Sequence, residues 1–528
     1  MMSIKQPLDA VKTSSFVRHF YIVASWTGLS RVSGVIREML LANIFGVGAF
    51  SDIYAFAIKL PSFFRKFFAE GALNVVLVPR LSCLAALNKK EQAIALAQQV
   101  LSILMLSVVI FSVLMECIMP GVVAVIAPGF KGKLYLSEDI IYFSRLIFPY
   151  IVLISITAML SSLLNSFNHF AWPAAASFIL NIVMILSLVV CKLLGPQISS
   201  RTIMHVVCLS TLGGGVLQCV SLWDNGRRNG LTLKLTRPRF DPEIKKIIKA
   251  TIPGMLGASF TQINIFVDLA FASLLAVGSV SYLNFADRLN QLPLALFGAS
   301  LGVALLPTLA KSWEAKDKLK AYETQNHAIV FSMALVIPAT VGLFVLAEPI
   351  VSILYEHGKF SHFDVLQTMA ALKAFVIGLP AYVLSKIFLT IFFANKNTKT
   401  PVYVAGGCVF LNGILSFILK GPLAHVGIAL ATAISSIINM ILCAIILGRK
   451  ELFKFPWSDA KQVVKIIVTS MVMGVVIWYA ANVLFPIEYE DPPSAHKIPW
   501  LFGIVLVGIA VYSIQLYLLK IRSLFKNK

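Results

Sequence analysis

The sequence is poor in charge, and it lacks the motifs of the common enzyme classes. Only 13% of its 528 residues are charged, whereas about a quarter are charged in a typical soluble domain. A soluble enzyme of this length is therefore excluded. A disordered chain is excluded as well, because 58% of the residues are hydrophobic and the mean hydropathy is +0.85.

The sequence has neither a cysteine-based site nor a common catalytic motif. The seven cysteines lie scattered in apolar stretches without a CxxC pair, a pattern that argues against a disulfide framework and against a zinc site. The sequence has no HExxH, no GxSxG and no Walker-type phosphate loop. We therefore expect a protein that is not an enzyme and that needs no organic cofactor.

Long apolar runs are what the sequence does have. A helix that crosses a bilayer needs about 20 mostly apolar residues, and lipid-facing backbone must be helical because no water satisfies its polar groups. The sequence therefore predicts an all-α polytopic membrane protein with fourteen spans. They lie at residues 19–44, 52–80, 93–119, 139–165, 173–193, 202–223, 245–276, 280–309, 324–346, 365–394, 401–419, 424–447, 462–485 and 499–519.

Acidic residues are scarce relative to basic ones, with 24 Asp and Glu against 45 Lys and Arg, for a formal net charge of +21. An even number of spans puts both termini on one side of the membrane. If that side is inside, the inside segments hold 29 basic residues and the outside segments hold 7. Basic residues are retained on the cytoplasmic side, so both termini are predicted to be cytoplasmic. Most of the positive charge then reflects topology and not nucleic-acid binding.

Nine basic residues fall within the predicted spans. A basic residue at the centre of a span costs about 2.5–3.5 kcal/mol, which marks such positions as functional. Snorkelling from a helix end is the alternative, and it fits Lys66 and Lys386 best. Arg31 and Arg37 lie deep in the first span and about 120° apart around its axis, so both can border one polar face. The nine are Arg31, Arg37, Lys59, Arg65, Lys66, Arg145, Arg288, Lys373 and Lys386.

The two halves of the sequence repeat at an offset of 228–230 residues. Residues 71–79 parallel residues 299–307, and Arg145 falls opposite Lys373. The repeat predicts two six-helix lobes in parallel orientation, at residues 1–223 and 245–447. Residues 224–249 form a basic cytoplasmic linker that leads into the seventh span, and residues 448–528 add two further spans and a tail. Parallel repeats place a substrate cavity at their interface, so one chain can function as a monomer.

Arginines in such a cavity favour an anionic substrate. Guanidinium groups bind phosphate through paired, charge-assisted hydrogen bonds and stay charged at any relevant pH. A phosphate or pyrophosphate is therefore the simplest ligand, with nearby acids orienting or balancing the arginines. The candidate arginines are Arg31, Arg37, Arg65 and Arg288, and the candidate acids are Glu38, Asp52, Glu70 and Asp287.

Several motifs resemble those of the MurJ (MviN) family of lipid II flippases. They include SRVSGVIRE at residues 30–38, KLPSFFRK at 59–66, APGF at 127–130 and ADRL at 286–289. The resemblance covers nearly the whole chain. It implies the fold of the multidrug/oligosaccharidyl-lipid/polysaccharide exporter superfamily and a place in the bacterial inner membrane. It also implies translocation of lipid II, the undecaprenyl-pyrophosphate-linked peptidoglycan precursor, from the cytoplasmic to the periplasmic leaflet.

The same resemblance implies roles for particular residues. The family's cavity arginines correspond to the four arginines above, its acid early in the second span to Asp52, and the serine before the first arginine to Ser30. Lys59, Glu38 and Glu70 match further motif positions. The last two spans correspond to a groove for the lipid tail.

Some family members hold a sodium ion among spans 7, 11 and 12, where Asp268, Asn412 and Thr432 fall here. Asn412 stands where a carboxylate is expected, which lowers the charge of the site. The membrane potential is the alternative driving force.

Other functions remain open at this point. A flippase for another polyprenyl-linked oligosaccharide needs the same phosphate contacts. A drug or cation antiporter of the same superfamily needs a mainly acidic cavity, contrary to the arginines found here. A membrane glycosyltransferase needs carboxylates in a large outside loop, whereas the longest outside loops here span only about 20 residues.

Overall fold

Helices account for nearly all of the regular structure. The computed structural model describes residues 7–66, 77–131, 134–239, 241–315, 317–484 and 497–519, and within these residues no strand is formed. The helices before the middle of the chain are α1 (Pro7–Phe45), α2 (Ala49–Arg65), α3 (Val78–Ala86), α4 (Lys90–Ile126), α5 (Leu134–Ile147), α6 (Tyr150–Ser166), α7 (Ala171–Leu193) and α8 (Ser200–Arg228). The later helices are α9 (Pro242–Ser273), α10 (Ser279–Glu314), α11 (Lys318–Val345), α12 (Ala347–Tyr355), α13 (His362–Ile377), α14 (Leu379–Ala394), α15 (Lys399–Arg449), α16 (Trp457–Tyr479) and α17 (Lys497–Leu518).

The predicted all-α membrane architecture is confirmed. Among the described residues, nine helical stretches are long and apolar enough to cross a membrane. Every one of the fourteen predicted spans overlaps helix, although residues 67–76 of the second span lie outside the described residues. The count of fourteen stays a prediction.

Two predicted spans lie together in α15. At Ala424 the backbone leaves the helical region, with φ 49° and ψ −131°. Pro422 precedes this point, and proline cannot donate the backbone hydrogen bond that a continuous helix needs. Gly427 lies against the backbone carbonyl of Leu419, where a side chain would clash. The kink therefore falls between residues 401–419 and 424–447, where the apolar runs predict a short connection.

The internal repeat is visible in the positions where helices begin. α4 begins at Lys90 and α11 at Lys318, which are 228 residues apart. The same offset separates the starts of α5 and α13, and the starts of α7 and α15. A helix is also interrupted at a similar place in each repeat. α5 gives way to α6 at Pro149, and α13 gives way to α14 at Gly378, just before Pro380. Proline ends or kinks a helix at these positions.

The chain divides into two compact units. The first comprises Met1–Phe45 and Ala49–Gln262, and the second comprises Gly46–Gly48 and Ile263–Lys528. The division between them falls within α9. The predicted lobe boundaries, at residues 223, 245 and 447, stay predictions.

Small residues allow close helix packing in the first unit, where α7 packs against α1 and α8. A Cβ atom at Gly214 would lie 2.6 Å from Leu180 Cδ1, and one at Gly215 would lie 2.9 Å from Tyr150 Cε2. Both distances are shorter than a normal carbon contact. Glycine therefore lets α8 approach α7 and α6, and it fixes the place of Tyr150.

The two carboxy-terminal helices pack on the second unit. Met473 and Ile477 of α16 meet Ile504 of α17 in one buried cluster that also includes Leu346. The hydroxyl of Tyr512 donates to the carbonyl of Ala334 in α11 at 2.7 Å. Val475 and Leu506 are 66% and 50% exposed, so the outer faces of these helices remain apolar and uncovered.

Candidate functional site

Arg37 is the best-anchored arginine of the first unit. It lies in the second half of the predicted first span, and its side chain is 13% exposed. One guanidinium nitrogen donates to Glu38 Oε1 at 2.7 Å, and the other donates to Asn181 Oδ1 at 2.9 Å. The Glu38 side chain is only 4% exposed. A buried charge of this kind is tolerated because it is both paired and hydrogen-bonded.

Asn181 connects this arginine to the rest of α1. Its amide nitrogen donates to the carbonyl of Ser30 at 3.0 Å and to Ser33 Oγ at 3.1 Å. Asn181 lies in α7 and is 6% exposed. One amide group therefore holds α7 against α1 and fixes the direction of the Arg37 guanidinium.

Arg65 lies in the last turn of α2 and is half-buried. The Tyr150 phenol, 2% exposed, lies near both Arg65 and Arg37. Its hydroxyl has no hydrogen-bond partner among the described residues. Tyr54, 4% exposed, also lies near Arg37. Two guanidinium groups and two phenols thus form one polar cluster inside the first unit.

The other predicted residues of the first unit occupy different environments. Asp52 is 1% exposed and lies in the first turn of α2, where the helix dipole favours a carboxylate. Lys59 is half-buried on the same helix. Arg31 is exposed, unlike Arg37. Glu70 lies outside the described residues.

In the second unit, Asp287 and Arg288 are half-buried on α10. The side-chain amide of Gln291, one turn later, donates to Asp287 Oδ2 at 2.5 Å. The Tyr382 phenol of α14 lies near both Asp287 and Asp268. The carboxylate beside Arg288 and the carboxylate of α9 are therefore neighbours of the same phenol.

The three residues predicted to bind sodium do meet in the second unit. Asn412 Nδ2 donates to Asp268 Oδ1 at 2.7 Å, and Thr432 Oγ1 donates to Asp268 Oδ2 at 2.9 Å. Thr432 Oγ1 and Asn412 Oδ1 are 3.4 Å apart. Asn412 is completely buried. The group offers one carboxylate and two neutral oxygens, a set of hard ligands whose single charge suits a monovalent cation better than a divalent one. No cluster of three His, Cys, Asp or Glu side chains occurs in the described part of the chain.

Two repeat-related basic residues contact matching positions. Arg145 Nε donates to the carbonyl of Glu116 at 2.9 Å. Lys373 Nζ lies 5.6 Å from the ring centre of Phe344. Residues 116 and 344, like residues 145 and 373, are 228 apart. The repeat therefore preserves the contact while changing its chemistry.

Sequence reasoning missed Asn181 and Tyr150. Asn181 had a usable signal, because an amide inside the apolar run of α7 needs a partner in a membrane. Tyr150 had none beyond its place after Pro149, since a tyrosine in an apolar helix is usually a packing residue.

Comparison with known proteins gives a consistent picture. A family model described as "Lipid II flippase MurJ" matches residues 41–489. A protein of Rhizobium tropici, named as a probable lipid II flippase MurJ, is 34% identical over 96% of this chain and 94% of its own length. One from Rickettsia prowazekii with the same name is 31% identical over 95% of this chain and 97% of its own.

Solved structures agree on the fold. A lipid II flippase MurJ in an inward closed conformation superposes with a TM-score of 0.78, at 28% identity over 96% of this chain and 100% of that one. An inward-facing multidrug transporter of the MATE family and MOP superfamily gives a TM-score of 0.66, at 14% identity over 82% of this chain and 98% of that one. The second similarity concerns the fold alone.

Proposed function

Because this chain belongs to the MurJ family of lipid II flippases, we propose that it moves lipid II from the cytoplasmic to the periplasmic leaflet of a bacterial inner membrane. The protein is a multi-pass membrane transporter and not an enzyme. The finer parts of the proposal are the cationic cavity, the residues that contact the substrate, and the driving force.

The observation that carries the proposal is the buried arginine of α1. Arg37 remains charged within the predicted first span, held by Glu38 and Asn181. A pyrophosphate offers oxygens that a guanidinium group can contact in pairs. We expect the substrate phosphates to engage Arg37 and Arg65 in the first unit and Arg288 in the second. Arg31, which is exposed, contacts the headgroup as it enters.

The acidic residues balance the charge of the arginines until the anionic substrate binds. With no substrate bound, Glu38 balances the charge of Arg37 at 2.7 Å. A pyrophosphate brings its own negative charge and replaces part of this balance. The site can therefore bind an anion without leaving a buried cation unpaired, a state that would be costly.

Transport then follows an alternating-access cycle, in which the two repeats expose the headgroup first to the cytoplasm and then to the periplasm. The polyprenyl tail stays in lipid. The uncovered apolar faces of α16 and α17 offer it a surface, since Val475 and Leu506 are exposed there. The chain carries both repeats, so a monomer is sufficient.

Sodium binding at Asp268 is the proposed coupling step. Asp268, Asn412 and Thr432 supply the oxygens, and the ion would neutralise the carboxylate. The Tyr382 phenol lies near both Asp268 and Asp287, so an ion at Asp268 would bind close to the neighbour of Arg288. The membrane potential, worth about 2.3 kcal/mol per elementary charge per 100 mV, is the alternative driving force.

Depletion of the protein in cells tests whether lipid II is its substrate. If the protein moves lipid II, its loss causes lipid II to accumulate in the inner membrane, and no other polyprenyl-linked oligosaccharide accumulates. Accumulation of a different undecaprenyl-linked intermediate would assign the chain to that substrate instead.

Complementation of the same cells tests the arginines. Arg37→Ala, Arg65→Ala and Arg288→Ala should insert normally and fail to restore growth. Arg201→Ala is the matched control, because Arg201 is 59% exposed and pairs with Asp139 at a predicted outside loop. Normal growth with all three cavity variants would refute their role.

A further inference from the structure

A cleft in the second unit lies apart from the residues assigned to transport. It has a volume of about 680 Å³ and opens between the first turns of α11 and the segment that leads into α16. Sites for small ligands occupy about 300–1,000 Å³. Tyr322, Glu323 and Asn326 line it from α11, and Lys454 and Asp459 line it from the other side.

The cleft carries charges of both signs. Glu323 and Lys454 are exposed, and Asp459 is half-buried. Lys454 Nζ lies 6.0 Å from the ring centre of Tyr322. The exposed side chain of His327 completes the polar wall. A ligand that matches this arrangement has a cationic and an anionic group close together.

Asn326 joins the two walls of the cleft. It is 6% exposed, and its amide nitrogen donates to the carbonyl of Lys454 at 2.9 Å. The carboxylates of Glu323 and Asp459 line the same cleft. A primary ammonium has three N–H donors, and these two carboxylates offer it charged acceptors, which form the stronger hydrogen bonds.

The position of the cleft indicates a lipid. The apolar stretches Lys318–Val345 and Trp457–Leu484 both begin at it. Trp457 beside it is 73% exposed, and tryptophan is enriched where the membrane meets water. From the cleft, α16 continues with Val464 and Val468, which are 56% and 53% exposed. An acyl chain can follow this apolar face.

We propose that this cleft binds phosphatidylethanolamine of the cytoplasmic leaflet. The lipid ammonium donates to the carboxylates of Glu323 and Asp459, and the Lys454 ammonium contacts the phosphate. Phosphatidylcholine lacks the N–H donors, and phosphatidylglycerol lacks the cation, so neither satisfies the cleft. The bound lipid joins α11 to α16 whatever substrate the protein moves.

Native mass spectrometry of the detergent-purified full-length protein tests this directly. The probes are phosphatidylethanolamine, phosphatidylcholine and phosphatidylglycerol with identical acyl chains. We expect about tenfold stronger retention of phosphatidylethanolamine, since hydrogen bonds to charged groups are the stronger ones. Glu323→Gln/Asp459→Asn should remove this preference, and Lys454→Gln should weaken the retention of all three lipids, because each carries the phosphate.

Glu314→Gln is the control, since Glu314 is exposed at the end of α10 and does not line the cleft. Equal retention of the three lipids by the unaltered protein overturns the proposal and needs no variant to fold. So does an unchanged preference in Glu323→Gln/Asp459→Asn. Displacement of the lipid by equimolar glycerophosphoethanolamine or spermidine would show that a soluble amine is the ligand and would overturn the assignment to a lipid.

Discussion

Replacing Glu38 with leucine measures how strongly the buried pair of α1 is held. Removing one partner of a buried ion pair costs about 3–5 kcal/mol. Arg37 is 13% exposed and keeps its bond to Asn181, so we expect Glu38→Leu to lower the free energy of unfolding by about 3 kcal/mol, at the low end of that range. This corresponds to more than a hundredfold in the unfolding equilibrium, at about 1.4 kcal/mol per factor of ten.

The double variant Arg37→Leu/Glu38→Leu separates stability from function. Replacing both members of a buried pair by apolar side chains is often neutral or stabilising. The orphaned Asn181 Oδ1 subtracts about 1 kcal/mol, at the low end of the cost of an unpaired buried acceptor, because the Asn181 amide nitrogen keeps its bonds to Ser30 and Ser33. We therefore expect the double variant to recover most of the stability lost by Glu38→Leu, and to remain inactive because the phosphate contact is gone.

Denaturant titration in mixed micelles measures both effects. Glu314→Leu is the control, because exposed substitutions usually change stability by less than about 0.5 kcal/mol. A loss of less than about 1 kcal/mol in Glu38→Leu would refute the claim that this carboxylate holds the buried guanidinium. A double variant as unstable as Glu38→Leu would refute the coupling between the two residues.

Three further outcomes follow from the packing and the second unit. Asn181→Leu removes the second anchor of Arg37 and should lower lipid II transport at least tenfold in proteoliposomes, whereas normal transport would show that Glu38 alone suffices. Gly215→Ala places a Cβ atom 2.9 Å from the Tyr150 ring and should lower the free energy of unfolding. A Cβ atom at Gly213 meets no atom within 4 Å, so Gly213→Ala should raise the free energy of unfolding by up to about 1 kcal/mol. Sodium chloride should raise the melting temperature more than choline chloride does, because a ligand of the native state stabilises that state. Asp268→Asn should abolish the difference between the two salts. An equal rise with both salts in the unaltered protein would exclude sodium binding.

The helices and the repeat were accessible from the sequence for a physical reason. Backbone in lipid has to satisfy its own hydrogen bonds, so each apolar run predicts a helix. The offset of 228 residues seen in the motifs recurs between the starts of α4 and α11 and of α5 and α13. The meeting of Asp268, Asn412 and Thr432 was also expected, from resemblance to the family, and the structure joins them by hydrogen bonds.

The detail of the arginine site was not accessible in this way. Adjacent residues on a helix do not face each other, so the spacing argues against an Arg37–Glu38 pair. The arginine side chain is nevertheless long enough to contact Glu38 Oε1. Its second partner, Asn181, lies 144 residues away in the sequence. Periodicity also cannot tell that Arg31 is exposed while Arg37 is mostly buried, because that difference depends on where α7 packs.

Reconstitution into proteoliposomes tests the central claim most directly. Purified protein is incorporated with lipid II, and the appearance of the headgroup on the opposite face is followed in the unaltered chain, in Arg37→Ala and in Arg201→Ala. We predict flipping by the unaltered chain and by Arg201→Ala, and loss of flipping in Arg37→Ala. Normal flipping by Arg37→Ala, with the protein correctly inserted, would contradict the role of this arginine in binding the substrate.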